Sequence, residues 1–380
     1  MNNADLAARA VARDALVRIE SGDAYANLVL SPLLERSKLV GRDRRFATEL
    51  VYGTTRMRRA VDAALAPHLK RDIEPEVRTL LRLGGYQLLY AHVAPHAAVS
   101  TTVSLAPKRA QGFVNAIMRR VAETGLPDHP DDGTRLSYPD WIVKRLHDDL
   151  GRDDALDALE AMNHAVRPHT RDDGYVQDPA SGWVAGLVDA EPGHRVVDIC
   201  AAPGGKATAL GHLVGEGLVV AADMRPGRVE LVAQNAATTG TDAAVHAIVA
   251  DGRMPPLREA AFDRVLVDAP CSGLGVLHRR ADARWRVVPD AVPTLAANGW
   301  RLLEAAAPLV TPGGVLVYSV CTMTAAETID VGEWAVARLE GFEPVAHPGG
   351  PWRKHGAGAL LLPQFAGTDG MYILRLRRLA

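Results

Sequence analysis

Cysteine is scarce in this 380-residue chain: Cys200, Cys271 and Cys321 are the three, with no C-x-x-C and no Cys/His pair at metal-ligand spacing. An odd, dispersed set of thiols excludes a disulfide scaffold and argues against zinc, so free thiols in a reducing compartment and no bound metal are expected. No apolar run approaches the roughly 18–20 residues that span a bilayer. The opening MNNADLAARAVARDAL is charged throughout, unlike a signal peptide. A cytoplasmic protein without a membrane partner is the expectation. Lysine is also rare, at six residues, and aromatics make up only 5%. What the chain does have is 48% hydrophobic and 23% charged residues, enough for packed cores. At about 150 residues per domain, the length suggests two to three domains.

The net charge of −2 conceals an asymmetry. Up to Pro127 there are 19 Lys and Arg against 12 Asp and Glu, and beyond it 24 against 33. A basic front half on an acidic back half suggests a polyanion-binding module joined to something else.

From Asp5 to about Glu123 the apolar spacing is helical, with Leu6, Ala10, Leu16 and Ile19 opening one amphipathic run and Val61, Leu65 and Leu69 another. Arg78 to Ala91 is almost continuously apolar around two glycines, as in a buried helix that a neighbour approaches closely. Ala110 to Val121 predicts a further helix. The Pro-, Gly- and Asp-rich stretch Thr124–Pro139 reads as a linker, followed by short helices around Trp141–Leu150 and Asp153–Asn163 and a second polar stretch from Val166 to Ser181. After Gly193 short β-rich runs appear at Arg195–Cys200, Leu218–Asp223, Val245–Asp251, Arg264–Asp268 and Val315–Ser319, separated by helical segments. That alternation predicts a parallel, doubly wound sheet. The expected organisation is an all-α domain over 1–125, a linker with short helices over 126–182 and an α/β domain over 183–380.

The first strand-to-helix turn reads VVDICAAPGGKATAL, and its glycine pair lets backbone approach a ligand at a helix N-terminus. It is not G-x-G-x-x-G, which disfavours a nicotinamide-dependent oxidoreductase, and it has no Walker lysine–serine pair, which disfavours a nucleotide triphosphatase. Asp223, Asp251 and Asp268 end the second, third and fourth strands. In an open α/β sheet ligands bind outside the carboxyl ends of the strands, so the three acids are expected to face one crevice. Such a set suits a ligand with a ribose and an adenine amino group but no pyrophosphate, and S-adenosylmethionine fits, with Lys206 near its carboxylate. Taken singly, each acid is also an ordinary turn or cap residue.

Cys271 follows the fourth strand and Cys321 the fifth. Free cysteine is usually buried filler, and Cys200 has that reading, but two thiols at neighbouring strand ends beside a cofactor turn suggest chemistry. C5 of cytosine is too poor a nucleophile to take a methyl group directly. A thiolate adding to C6 makes C5 enamine-like, and proton loss from C5 with elimination of the thiolate completes the exchange. Asp268 is placed to bond the N3/N4 edge of the base. The residues do not rank the two thiols; likeness to the Pro-Cys motif after strand four of DNA cytosine methyltransferases would favour Cys271.

CAAPGGK at Cys200–Lys206, DAPCSGLG at Asp268–Gly275 and YSVCT at Tyr318–Thr322 resemble the NOL/NOP/Sun family of RNA 5-methylcytosine methyltransferases. GFVNAIMRR at Gly112–Arg120 resembles the NusB-like RNA-binding domain, and VQDPAS at Val176–Ser181 and DGMYILRL at Asp369–Leu376 extend the likeness to nearly the whole chain. The resemblance implies an all-α NusB-like domain followed by a Rossmann-like methyltransferase domain acting on RNA, with 16S rRNA as the expected substrate. It assigns S-adenosylmethionine contacts to Cys200, Ala201, Ala202, Pro203, Gly204, Gly205, Lys206, Asp223, Asp251 and Asp268. It makes Cys321 the nucleophile on C6, Cys271 the group assisting release, and Asp268 a catalytic contact to the base. Two departures stand out: Val320 where Thr is common, and only HAVRPHTRDDGY between Asn163 and Val176, where relatives place about 40 residues that help to bind RNA. Arg42, Arg44, Arg45, Arg56, Arg58 and Arg59 are the candidate phosphate-binding patch that compensates, and Trp285 is a candidate either for stacking on RNA or for the core. The alternatives in view are a non-catalytic RNA-binding assembly factor and the same activity on tRNA.

Overall fold

The structure, a computed structural model, describes residues 3–22, 24–70, 72–128, 131–166 and 168–380. His129 and Pro130, in the first stretch expected as linker, and Arg167, in the second, lie outside the described residues. The chain divides into two compact units. One comprises Met1–Lys144 with Leu277–Arg286, the other Arg145–Val276 with Val287–Ala380.

The first unit is helical, as the 3.6-residue spacing predicts. It contains α1 (Asn3–Ser21), α2 (Ala26–Arg36), α3 (Gly41–Arg56), α4 (Arg58–Leu65), α5 (Pro75–Leu89), α6 (Pro95–Leu105), α7 (Gln111–Thr124) and α8 (Asp132–Leu136). Its core collects Leu16, Leu50, Leu80, Leu83, Val114 and Met118, all buried. The two glycines of α5 are there for contact: a Cβ on Gly84 would lie 2.6 Å from Met118 Cε, and one on Gly85 2.7 Å from Val61 Cγ1. The boundary expected at residue 125 moves, because 131–144 is folded rather than linking. Asp131 caps α8 by accepting from Thr134 N at 2.7 Å, and Arg59 reaches Asp131, Asp140 and the Tyr138 carbonyl. The division falls inside α9 (Asp140–Leu150).

The second unit holds α10 (Arg152–Ala161), α11 (Pro179–Leu187), β1 (Arg195–Asp198), α12 (Gly205–Val214), β2 (Leu218–Asp223), α13 (Pro226–Thr239), β3 (Val245–Val249), β4 (Phe262–Asp268), α14 (Ala291–Ala306), β5 (Val310–Val320), α15 (Ile329–Arg338), β6 (Phe342–Pro344), β7 (Arg353–His355), β8 (Gly358–Leu361), α16 (Pro363–Ala366) and β9 (Met371–Arg378). Among the described residues the nine strands form one sheet in the order β3-β2-β1-β4-β5-β9-β8-β7, with β6 also on β9. β1 through β5 run parallel, as the sequence grammar predicts. Their carboxyl ends therefore share one edge, and the order reverses between β1 and β4, where such sheets bind ligands. The antiparallel extension on β9 goes beyond the parallel sheet that the sequence predicts; β9 has eight residues, while β6, β7 and β8 have only three or four each. Val196, Val219, Leu266 and Val317 fill the interior, and burying each such side chain contributes about 1.5–3 kcal/mol.

Candidate active site

The turn between β1 and α12 is built for backbone approach. Gly204 has φ +109°, closed to most side chains, and a Cβ there would sit 3.2 Å from the main chain of Val232. The Ala202–Pro203 peptide is cis, and Ala201 N donates to Ala222 O at 2.9 Å. Arg228 and Asn235 of α13 donate to the carbonyls of Ala202 and Pro203 at 2.5 and 2.8 Å. The turn is thus held from beneath by its own scaffold.

Four acids stand at or near the strand ends. Asp223 is buried, accepts from Arg225 N at 3.1 Å and lies 3.6 Å from Arg228. Asp251, two residues past β3, is chelated by its neighbour Arg253, whose hydrogen bonds lower its pKa to about 2. Asp268 accepts from Lys206 Nζ at 2.7 Å and from Ser319 Oγ at 3.2 Å. Lys206 thus places one of its three donors on Asp268. The fourth acid, Asp198, was not singled out from the sequence, although it ends β1 just as Asp223 ends β2. It is fully buried, and burial together with the Asp268 charge pushes its pKa up to about 7. One of its oxygens accepts from Cys200 N at 3.2 Å, and the other has no partner. Desolvation, reinforced by the surrounding acids, likewise holds the Cys200 thiol well above its usual range.

The orphaned oxygen, the anionic surround and the glycine cradle fit a cationic, ribose-bearing cofactor such as S-adenosylmethionine. An unpaired buried carboxylate oxygen is costly and gains from a polar or positive partner.

The two thiols meet. Cys271 Sγ lies 3.4 Å from Cys321 Sγ. Backbone pairing aligns the loops that carry them: Ala269 N donates to Ser319 O at 2.9 Å, and Gly275 N to Cys321 O at 3.0 Å. Gly275 permits this, since a Cβ there would fall 2.1 Å from Gly370 O. Cys271 is pushed well up, first by its hydrogen bond to Cys321 and then by burial, while the Lys206 ammonium interacts favourably with Cys321.

The short segment before α11 is also ordered around this turn. Thr170 bridges Val176, and Arg171 donates to Gly205 O at 2.6 Å and to Thr208 Oγ1 at 3.0 Å. Arg171 also pairs with Asp173, whose pKa falls to about 2.

The arginine patch comes apart. Arg56 is buried and donates to His278 O at 3.1 Å, Arg59 is consumed by the ion pairs already described, and Arg58 lies over the Trp285 ring at 5.5 Å. These three hold the helical unit together and do not form an exposed phosphate site. Arg42, Arg44 and Arg45 are exposed on α3. Trp285 is anchored, its Nε1 donating to Thr55 O at 2.7 Å, so it is a packing residue.

Comparison with known proteins decides the family. Residues 185–377 match the 16S rRNA methyltransferase RsmB/F family and residues 6–123 the NusB family. The chain belongs to the RsmB/F methyltransferases. A ribosomal RNA small subunit methyltransferase B of Thermus thermophilus is 36% identical, with 97% of each chain covered. A putative methyltransferase of Mycobacterium tuberculosis strain H37Rv is 38% identical over 98% of this chain and 96% of its own. That alignment runs over 456 positions, so the mycobacterial protein carries segments with no counterpart here. The crystal structure of PH0851 shares the fold, with TM-score 0.78, 20% identity and full coverage of both chains. The methyl donor of RsmB/F proteins is S-adenosylmethionine, in keeping with the cradle and its acids.

Proposed function

We propose that this protein methylates C5 of a cytosine in RNA, with 16S rRNA as substrate, through covalent addition of Cys321 to C6. The observation that carries the reading is the thiol pair at 3.4 Å, with Lys206 favouring charge on Cys321 and Cys271 kept protonated beside it. A methyltransferase acting on an amino group has no use for two apposed thiols. When bound, S-adenosylmethionine supplies an electrophilic methyl group on a sulfonium. Cys321 as thiolate forms the bond to C6, and Asp268, held by Lys206 and Ser319, faces the N3/N4 edge. Loss of the C5 proton with breakage of the S–C6 bond frees the product, and the Cys271 thiol assists that step. The base must be extruded or single-stranded to be reached. Names of relatives support the substrate: the Bacillus subtilis and Thermus thermophilus proteins are called ribosomal RNA small subunit methyltransferase B.

The test incubates the protein with labelled S-adenosylmethionine and unmethylated 16S rRNA or tRNA. Wild type, Cys321→Ala and Cys271→Ala are compared for label at C5 and for protein–RNA adduct after denaturation. Transfer lost in Cys321→Ala and adduct trapped in Cys271→Ala is the expected result. RNA binding by wild type with neither label nor adduct would overturn the reading in favour of an assembly factor.

A further inference from the structure

One buried carboxylate outside the cofactor turn is bonded to both cysteine loops. Glu327 lies in the short 3-10 turn after β5 and is 1% exposed. Its Oε1 accepts from Ser272 N at 2.7 Å. Its Oε2 accepts from Ser272 Oγ at 2.6 Å, Thr324 Oγ1 at 2.8 Å and Thr322 Oγ1 at 3.3 Å. Ser272 Oγ and Thr322 Oγ1 are themselves 2.8 Å apart. Ser272 directly follows Cys271 and Thr322 directly follows Cys321, so a single carboxylate grips the residue after each thiol. The Glu327 carbonyl is fixed in turn, accepting from the buried Tyr318 hydroxyl at 2.9 Å.

A buried charge with four donors on it is a high-stakes arrangement: fully satisfied it rigidifies, and partly satisfied it is costly. If the only requirement were to close a loop, apolar packing would serve as well, since buried charges are often replaceable by hydrophobic groups at no loss of stability. The donors here come from the two loops that must be brought together, besides Thr324 in Glu327's own turn. The carboxylate charge also adds to the effects that raise the pKa of the Cys271 thiol.

We infer that Glu327 is a positioning residue, holding Cys271 and Cys321 at hand-over distance so that the adduct made by one thiol is resolved with the help of the other. This deepens the covalent mechanism proposed above and rests on it. Glutamine keeps the shape of the side chain but presents N–H where Ser272 N–H or a hydroxyl needs an acceptor, so one side of the clamp opens.

Two measurements on the full-length protein separate the inference from the mechanism beneath it. The first needs no RNA. Diamide takes two electrons and two protons from apposed thiols, is reduced to its hydrazine and leaves a Cys271–Cys321 disulfide, which peptide mapping detects. We expect wild type to cross-link at least tenfold faster than a folded Glu327→Gln variant, with Ser272→Ala between them. Equal rates in wild type and Glu327→Gln, or no cross-link in wild type, would overturn the positioning role. Should Glu327→Gln fail to fold by thermal melt, Ser272→Ala and Thr324→Val each remove one hydroxyl from the carboxylate and decide by the same comparison. The second measurement uses 16S rRNA and S-adenosylmethionine. Glu327→Gln is expected to lower kcat at least tenfold, leave cofactor affinity unchanged and accumulate adduct. Lower kcat without extra adduct would reduce Glu327 to a structural role. If wild type makes neither 5-methylcytosine nor adduct while the cross-linking rates still differ, the covalent mechanism fails and the alignment by Glu327 stands.

Discussion

Lys206 Nζ sits 2.7 Å from Asp268 Oδ2, joining the first helical turn after β1 to the end of β4 across the point where the sheet order reverses. The Asp268 charge and its hydrogen bond raise the pKa of Lys206, overcoming the opposing effect of burial. The ammonium therefore stays charged beside Asp268, where the proposed Cys321 thiolate would also draw on it.

Replacing that cation is the sharpest electrostatic test. Lys206→Met should slow alkylation of Cys321 by iodoacetamide at pH 7.5 about tenfold and lower methyl transfer at least a hundredfold. Asp268 is only half-buried, so the stability loss should be about 3 kcal/mol, the lower end for a broken buried pair. Unchanged Cys321 reactivity in mass-mapped alkylation would remove Lys206 from the thiol chemistry.

Asp198 makes a prediction about pH. Its folded pKa of about 7 lies above the unfolded value, so the native state binds the extra proton and loses stability as pH rises from about 4 to 7. Asp198→Asn should flatten that segment of the melting-temperature profile and weaken S-adenosylmethionine binding, read by calorimetry at pH 6 and 8. An unaltered profile would contradict the assignment.

Asp173 behaves oppositely. Arg171 depresses its pKa to about 2, so its contribution is present above the unfolded pKa near 4 and is lost as pH falls toward 2. Asp173→Asn should cost about 2 kcal/mol at pH 7 in urea titration, and the difference should shrink toward zero near pH 2.

The helical unit offers a packing test. A Cβ on Gly53 would lie 2.1 Å from the Tyr86 ring, which is fixed by the Glu49 hydrogen bond at 2.5 Å. Gly53→Ala should lower stability by about 1–3 kcal/mol despite the better helix propensity of alanine.

The surviving arginines separate RNA contact from structure. Arg42→Glu and Arg45→Glu should each reduce the salt slope of RNA binding by about one with little change in melting temperature. Arg56→Ala should lower the melting temperature instead, because its buried guanidinium is bonded within the fold.

What the sequence could reveal followed from local signals. The period switch after Gly193 located all five parallel strands, and the apolar run around Gly84 and Gly85 correctly suggested a close helix neighbour. The glycine turn, two strand-end cysteines and three strand-end acids were legible because each has a fixed place in βα grammar. Asp198 is equally visible in VVDI, at the end of the first strand, but its full burial and unpaired oxygen are properties of the fold alone. Glu327 was not legible: its meaning lies in Ser272, 55 residues earlier, and only the pairing of β4 with β5 brings the two together. The arginines failed for the same reason. Clustering in sequence says nothing of which side chains a later segment will cover, and Arg56 was covered by residues 277–286.

That later segment has a consequence for anyone who would divide the molecule. Leu277–Arg286 departs from the loop after β4, six residues past Cys271, and contributes Arg284 and Trp285 to the helical unit before the chain returns to α14. Arg284 is fully buried there, donating to the carbonyls of Arg56 and Ser137 and to the Tyr138 hydroxyl. The polypeptide therefore passes between the units three times, not once. No single cut yields two intact halves, and expressing the second unit alone would leave a ten-residue piece without its core, beginning six residues after Cys271 in the chain. Evolution or engineering that swaps the helical module in such a protein must exchange that embedded decapeptide together with the N-terminal helices.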